Sequence, residues 1–210
     1  MIGSSGHAKV VIDIFECMGD HEILGIIDKN KPIGESFFNY TVIGHDHEIA
    51  AIAERNPACV FFIAIGDNQL RSKVHMTLKQ FHPTMKMTTA IHPSAVIARS
   101  VRLGEGTAVM AGAIVNADTT IGNNCIINTG ASVDHECIFD DYSSIAPGAS
   151  TGGNVHLGKC SAIGIGATIM QGLTIGDHSI IGAASLLTRN CNDHEVMYGI
   201  PARHIRPHHN

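Results

Sequence analysis

The stretch GTAVMAGAIVNADTTIGNNCIINTGASVDH, residues 106–135, repeats an aliphatic residue at every sixth position, and this period decides the fold. The same register extends from Ser94 to Arg189 without an insertion and gives sixteen hexads. An internal repeat of this kind is a stronger guide to structure than local propensities. The fourth position of the hexads is apolar except at Thr151, and it is occupied by Ile97, Leu103, Val109, Val115, Ile121, Ile127, Val133, Phe139, Ile145, Thr151, Leu157, Ile163, Ile169, Ile175, Ile181 and Leu187.

A period of six predicts a three-sided parallel β-helix. Each hexad forms one short strand and one corner, so that three hexads close a coil and the sixteen hexads give just over five coils. Because stacked strands lie about 4.8 Å apart, the prism is expected to be roughly 25 Å long. We expect residues 91–189 to form this β-helix and residues 190–210 to form a cap or tail, with the last histidines, His208 and His209, on the solvated surface.

Residues 1–90 have a different pattern, in which apolar strands alternate with helical stretches as in an open parallel α/β unit of the Rossmann-like type. GSSGHAKVVIDIFECMG begins with a glycine turn and continues at helical spacing, ILGIID is a buried strand, and VFFIAIGDN is a strand that ends in a polar turn before a helix over 69–81. Ligands bind beyond the carboxyl ends of such strands, so these turns should lie close together. Only Met1 and Ile2 precede the glycine turn, so either the first strand is short or the chain starts upstream.

The composition excludes several classes of function. The formal charge of −5, with no run of Lys or Arg, argues against a nucleic-acid surface, which needs clustered positive charge. No apolar run approaches the length of about 18 residues that crosses a bilayer, and no basic segment followed by an apolar one marks a signal peptide, so we expect a cytoplasmic protein without a membrane span. The six cysteines are scattered without CxxC spacing, which favours reduced thiols without a disulfide.

His135 lies between Asp134 and Glu136 at the sixth position of its hexad, which is a corner. Its ring should therefore leave the solenoid at an edge instead of filling the core. An imidazole, with an ordinary pKa of about 6.5, suits the removal of a proton from an attacking amine or hydroxyl, and a neighbouring carboxylate can hold its tautomer. Both acids are candidates for that partner. The alternative is a solvated polar corner without a chemical role.

The glycine turn GSSGHAK, residues 3–9, precedes a helix, where free backbone N–H groups and the positive end of the helix favour a phosphate. Taken alone, this motif is equally well explained as a simple tight turn.

Several segments together resemble the sialic-acid and nucleotide-sugar acetyltransferases of the NeuD/PglD type, within the hexapeptide-repeat acyltransferases. These segments are GSSGHAKVVID, the strand and turn ending in IIDK, FFIAIGDNQLRSK, IHPSAVI, INTGASVDHEC and YGIPAR, and their order spans nearly the whole chain. The resemblance implies a left-handed solenoid and homotrimers that bind acetyl-CoA between subunits. It further implies N-acetylation of a UDP- or dTDP-linked 4-amino-sugar for surface glycan synthesis.

The resemblance also implies roles for individual residues. His135 becomes the proton acceptor and Glu136 its partner, while Ser144 stands where close relatives have a second histidine. Backbone amides near Gly153 would polarise the thioester carbonyl. The cofactor groove is expected to contain Ser144, Gly153, Ile165 and Ala183. The nucleotide portion of the substrate is expected to contact Ser5, Gly6, His7, Asp28, Lys29 and Gly66.

Three alternatives remain at this point. The same machinery could O-acetylate a sialic-acid-like sugar, or the scaffold could bind nucleotide sugars without catalysis. A third reading is a zinc enzyme of the γ-carbonic-anhydrase type, with histidines gathered at a subunit boundary. His135, His156 and His178 occupy the sixth, third and first positions of their hexads, so they should project from different parts of a coil. We therefore expect no metal.

Overall fold

The computed structural model describes residues 1–208 as an α/β unit followed by a long solenoid. The helices are α1 (Gly6–Met18), α2 (Ile49–Arg55) and α3 (Asn68–Phe81), with a 3-10 helix at Asp46–Glu48. The strands are β1 (Ile26–Ile27), β2 (Ser36–Phe37), β3 (Tyr40–Gly44), β4 (Ala90–Ile91), β5 (Val96–Ile97), β6 (Arg102–Leu103), β7 (Ala108–Val109), β8 (Ile114–Val115), β9 (Thr120–Ile121), β10 (Ile126–Ile127), β11 (Ser132–Val133), β12 (Ile138–Phe139), β13 (Ser144–Ile145), β14 (Ser150–Thr151), β15 (His156–Leu157), β16 (Ala162–Ile163), β17 (Thr168–Ile169), β18 (Thr174–Ile175), β19 (Ile180–Ile181), β20 (Leu186–Leu187), β21 (Glu195–Gly199) and β22 (Ala202–Pro207).

The N-terminal unit is a small parallel sheet centred on Ile2. Ile2 pairs in parallel with Ile27 on one side and Ile63 on the other, and β1 continues the sheet to β3. The segment over 60–68, predicted as one strand, pairs only through Phe61 and Ile63. Its last residue, Asn68, instead begins α3, because the Asp67 carboxylate accepts a hydrogen bond from the Leu70 N–H and caps the helix. The predicted helix over 69–81 is thus confirmed with one additional residue.

The solenoid has three flat parallel faces, as the hexads predict. Face I contains β4, β7, β10, β13, β16 and β19, with β21 and β22 at its end; face II contains β5, β8, β11, β14, β17 and β20; face III contains β6, β9, β12, β15 and β18. From β4 to β20, each strand pairs with the strand eighteen residues away, as Ile126 does with Ser144. One coil is therefore three hexads, and the prediction of a three-sided β-helix is confirmed.

Residues in the left-handed backbone region make the corners of the prism. From Gly106 onwards the first residue of each hexad has a positive φ, including Glu136 at 58° and Tyr142 at 62°. Glycine, Asn and Asp tolerate this conformation best, which explains their frequency at that position. The fourth-position side chains point inward and form one continuous core, in which the partly exposed Ile97 and Leu103 lie in the first coil.

The α/β unit packs on face I. Ala8, Val11 and Ile14 of α1 are buried against Ala108 and Ile126, the outward-facing residues of β7 and β10. Face I is thereby covered over its first coils, whereas faces II and III have exposed apolar residues such as Val96 and Ile138. This arrangement separates the N-terminal unit from the opposite edge of the prism, where faces II and III meet.

The C-terminal segment closes the solenoid with a hairpin. Strand β21 pairs in parallel with β19 and antiparallel with β22. His208, expected on the solvated surface, is only partly exposed, and its Nδ1 atom lies 2.7 Å from the carbonyl oxygen of His178; His209 lies outside the described residues. None of the described helices combines the length and the apolar character needed to cross a bilayer.

All six cysteines are free, and four of them are buried. Burial raises the pKa of the Cys125 thiol to about 11. The buried thiols of Cys125, Cys137 and Cys191 serve as small packing groups in the core of the solenoid.

Candidate active site

His135 lies on the edge between face II and face III, directly after β11. Its side chain is 56% exposed, as expected for a corner residue. This edge is opposite face I, so the N-terminal unit of the same chain does not cover the imidazole.

The carboxylate of Glu136 is the hydrogen-bond partner of the His135 ring. The Nδ1 atom of His135 lies 3.0 Å from the Oε2 atom of Glu136. A carboxylate only accepts, so this contact places the proton of the neutral imidazole on Nδ1 and leaves Nε2 with its lone pair. The left-handed conformation of Glu136 brings its side chain back towards the preceding residue. The Glu136 carboxylate thus fixes the orientation and the tautomer of the His135 ring.

Asp134, the other candidate partner, has a different role. Its Oδ1 atom accepts hydrogen bonds from the backbone N–H of His135 (2.8 Å) and from the Asn116 amide (3.0 Å), and these bonds lower the pKa of the carboxyl. The Thr151 hydroxyl, the one polar group in the stack of fourth positions, accepts from the Asp134 N–H at 3.3 Å. The Thr119 hydroxyl donates to the Asp134 carbonyl at 2.8 Å. These contacts fix the backbone on which His135 stands.

Gly153 supports the His135 ring from the next coil. A Cβ atom at this position would lie 2.4 Å from Cε1 and 2.6 Å from Nε2 of His135, so only glycine leaves room for the ring. Within residues 1–208 the N–H of Gly153 donates to no acceptor. Gly153 thus allows a close approach of the His135 ring and has a free N–H donor.

The other predicted groove residues lie elsewhere in the chain. Ile165 and Ala183 are exposed on the edge between face I and face II, which face II separates from the edge of His135. Ser144 lies in β13 on face I, where its hydroxyl accepts a hydrogen bond from the Asn68 amide at 3.0 Å. A single chain therefore brings only Gly153 to His135, and a groove that contains all four residues stays a prediction about the assembled protein.

A cleft of about 520 Å³ lies at the carboxyl ends of the parallel strands. Three of the predicted substrate contacts, Ser5, Asp28 and Lys29, line it. The Ser4 hydroxyl donates to Oδ2 of Asp28 at 2.5 Å, and the Asn30 N–H donates to Oδ1 at 2.9 Å, so the Asp28 carboxylate is held in one orientation. A second cavity of about 450 Å³, at the amino ends of the strands, has mainly apolar walls.

The remaining predicted contacts, Gly6, His7 and Gly66, lie beside the cleft and not in its wall. Gly6 is the first residue of α1. His7 and Gly66 are adjacent, with 3.7 Å between the His7 Cβ and the position of a Cβ on Gly66. Burial, and next the positive charge of Arg71, lowers the His7 pKa to about 4, so its imidazole is neutral at physiological pH. The Nε2 atom of His7 is buried and has no partner within residues 1–208.

The histidines considered for a zinc site lie apart. The Nε2 atom of His156, on face III, lies 2.8 Å from a carboxylate oxygen of Asp140. The ring of His178, on the edge between face III and face I, is stacked on that of His194. Two other groups within residues 1–208 have three possible ligand atoms close together, and both are away from His135: Asp13, Cys17 and His92, and His45, His47 and Glu48.

Sequence reasoning missed the residues that connect the cleft to the solenoid, Arg71 and Asn68. Both are buried at the start of α3. The helical spacing of α3 predicts an amphipathic helix, in which an arginine is normally solvated. Four of the five hydrogen bonds of Arg71 go to backbone carbonyls, which leave no pattern in a sequence. The segment AIGDNQLRSK contains both residues, but only the structure shows what they bind.

Comparison with known proteins places this geometry in a family. Residues 1–78 match the family model of the PglD N-terminal domain. The UDP-N-acetylbacillosamine N-acetyltransferase of Bacillus subtilis (strain 168) is 34% identical over 112 residues, which cover 53% of this chain and 50% of that protein. In that comparison the chain spans about half the length of its relative.

Several solved structures match over nearly the whole chain. A variant of the GDP-perosamine N-acetyltransferase of Caulobacter crescentus, in complex with CoA and GDP-perosamine, is 38% identical, with a TM-score of 0.92, over 98% of this chain and 95% of that one. The acetyltransferase domain of PglB from Neisseria gonorrhoeae FA1090, in complex with acetyl coenzyme A, is 30% identical, with a TM-score of 0.88, over 97% of both chains. The chain belongs to the PglD-type family of nucleotide-sugar acetyltransferases. The predicted fold class, a Rossmann-like unit followed by a left-handed β-helix, is confirmed by these matches.

Proposed function

We propose that this PglD-type chain transfers the acetyl group of acetyl-CoA to the amine of a nucleotide-linked 4-amino-sugar. The observation that carries the proposal is the His135–Glu136 pair, an oriented base beside the free N–H of Gly153. Structural relatives that match nearly the whole chain were solved with CoA and GDP-perosamine or with acetyl coenzyme A, which supports the two substrates.

The reaction uses His135 as a general base. The amine nitrogen attacks the thioester carbonyl carbon, and Nε2 of His135 takes the proton that the nitrogen loses as the C–N bond forms. The C–S bond then breaks, and the proton passes to the sulfur, which gives the amide and free CoA thiol. The Glu136 carboxylate stabilises the imidazolium that exists between these steps. The Gly153 N–H donates to the carbonyl oxygen as negative charge develops on it.

The active unit is a homotrimer in which the site lies between two chains. The nucleotide cleft belongs to the unit on face I, whereas His135 of the same chain lies on the opposite edge. A substrate held in one cleft therefore reaches the base of a neighbouring chain. The neighbour also encloses an imidazole that is 56% exposed in one chain, because acyl transfer needs a site from which water is excluded. Ser144, Ile165 and Ala183 are proposed to line the acetyl-CoA groove formed in this way.

Mixed trimers test this arrangement. We choose His135→Ala, which leaves the cleft intact, and Asp28→Ala, which removes the fixed carboxylate from the cleft. Each variant alone should be nearly inactive. Co-expressed at equal levels they should regain roughly a quarter of wild-type activity, because each of the two contributions to a site is intact in half of the chains. If verified mixed trimers recover no activity, the shared site is contradicted. It is also contradicted if light scattering shows that the fully active protein is a monomer.

A substrate screen tests the chemistry. UDP-, GDP- and dTDP-linked 4-amino-sugars, with acetyl-CoA, should release free thiol and give an acid-stable amide. An ester product on a sialic-acid-like sugar would instead favour O-acetylation, and tight nucleotide-sugar binding without thiol release would favour a non-catalytic protein. We place the reaction in the cytoplasm, the compartment predicted from the sequence. Activity that is unchanged by chelators is expected, because the proposed chemistry uses no metal.

A further inference from the structure

Arg71 in α3 is buried with a complete set of hydrogen bonds and without a carboxylate among its acceptors. The residue is 1% exposed. A guanidinium has five N–H donors, and here they meet five acceptors. Nε donates to the Asn124 carbonyl (2.7 Å), Nη1 to the carbonyls of Ile65 (2.9 Å) and Gly66 (3.0 Å), and Nη2 to the Tyr142 carbonyl (2.9 Å) and Oδ1 of Asn68 (2.6 Å).

These acceptors belong to two different parts of the protein. Ile65 and Gly66 form the loop between the central sheet and α3, and Ile65 lines the cleft. Asn124 and Tyr142 are left-handed corner residues of two successive coils, on the edge between face III and face I. The guanidinium of Arg71 therefore connects the wall of the cleft to the corners of the solenoid.

Asn68 extends the same connection. Its amide nitrogen donates to the Ser144 hydroxyl and to the Ser161 carbonyl, both at 3.0 Å, while its oxygen accepts from Arg71. Burial lowers the pKa of Arg71 to about 10, which still leaves it charged at neutral pH. The bonds of Arg71 are thus charge-assisted, and together with those of Asn68 they have fixed directions that resist a shift of one part against the other.

Attachment of the N-terminal unit does not depend on Arg71 alone. The apolar residues of α1 pack on Ala108 and Ile126 of face I over a separate contact. Apolar packing is non-directional and tolerates small shifts, whereas acyl transfer is sensitive to displacements of about 1 Å. The two contacts therefore have different roles. The apolar packing of α1 holds the unit on the solenoid, and the hydrogen bonds of Arg71 set its position.

We propose that Arg71 is a positioning residue that fixes the nucleotide cleft against the solenoid and so sets where the acceptor amine stands at the base. This inference rests on the proposed function. It predicts that Arg71 affects the placement of a tethered acceptor, which is an amino-sugar whose nucleotide is bound in the cleft. Arg71 is predicted to affect neither the binding of acetyl-CoA nor His135 itself.

The test compares Arg71→Lys with Arg55→Lys, an exposed arginine of the same unit that bonds only within its own helix. Lysine keeps the charge but loses the planar fork. For Arg71→Lys we expect kcat with the nucleotide sugar to fall about tenfold or more. We expect KM for acetyl-CoA, and the rate of acetyl transfer to a small amine that does not bind the cleft, to stay within about twofold. Arg55→Lys should match the wild type in all three measurements.

A further variant distinguishes failure of this proposal from misfolding and from failure of the proposed function. Arg71→Ala should recover nucleotide-sugar turnover when guanidinium is added at millimolar concentration, but not when methylammonium is added. Unchanged nucleotide-sugar turnover in a folded Arg71→Lys trimer would overturn the proposal, as would equal losses with the tethered and the small amine. A wild-type protein without any acetyl transfer would instead overturn the proposed function.

Discussion

The Nδ1 atom of His135 lies 3.0 Å from the Oε2 atom of Glu136, and the two residues are consecutive in the chain. Neighbouring residues in an ordinary strand point to opposite faces, so such a contact needs a corner. The corner is provided by the left-handed conformation of Glu136, at a φ of 58°. A position that the repeat fills most often with glycine, Asn or Asp thus carries a glutamate that orients the His135 ring.

Replacing His135 with alanine should lower kcat about a hundredfold or more, with little change in KM for acetyl-CoA. The physical reason is that a positioned general base contributes about 10²–10⁴ to the rate, whereas its ring is not proposed to hold the cofactor. Steady-state thiol release with varied acetyl-CoA measures both constants. Near-normal turnover in this variant would remove His135 from the mechanism.

Glu136→Gln should lower kcat by only about tenfold, less than the loss from His135→Ala. The amide oxygen can still accept the Nδ1 hydrogen bond, so the variant removes the negative charge and keeps the orientation of the ring. Parallel assays of the two variants decide the order of the effects. A loss equal to or larger than that of His135→Ala would mean that the carboxylate, and not the imidazole, takes the proton.

Gly153→Ala should reduce kcat because the new Cβ would lie 2.4 Å from Cε1 of His135 and push the ring away from its place. The atoms closest to this Cβ all belong to that ring, so the coil itself should remain folded. The matched control is the same substitution in a His135→Ala background, where it should cost nothing further. Additive losses in this double-mutant cycle would indicate damage other than displacement of the base.

The sequence predicts the solenoid well because its period is fixed by the geometry of the fold. The buried position of Ile127 recurs at Ile145, eighteen residues later, and this produces a repeating apolar residue in the sequence. The corner position of His135 follows from the same register. Arg71 leaves no such trace, since four of its five acceptors are backbone carbonyls, and two of these, of Asn124 and Tyr142, are distant in sequence. Likewise, the grouping of Ser144 with Asn68 depends on how the two parts pack, which no local pattern encodes.

The buried imidazole of His7 should make the protein less stable in mild acid. Its pKa is lowered from 6.5 to about 4 in the folded state, so between these values the unfolded chain binds a proton that the folded chain does not. The full stability is therefore present above about pH 6.5 and is lost as the pH falls towards 4, by up to about 3 kcal/mol. Below that window this group adds no further change.

Substituting His7 with glutamine should remove this dependence, because the side chain no longer titrates. Urea unfolding followed by circular dichroism of the helices, which within residues 1–208 all lie in the N-terminal unit, gives the free energy of unfolding at each pH. The difference between wild type and His7→Gln should shift in favour of the variant as the pH falls from 7 towards 4, by about 2–3 kcal/mol. His47→Gln, at an exposed position of the same unit, is the control. Parallel curves for wild type and His7→Gln would show that the imidazole of His7 is protonated in the folded protein as readily as in the unfolded chain.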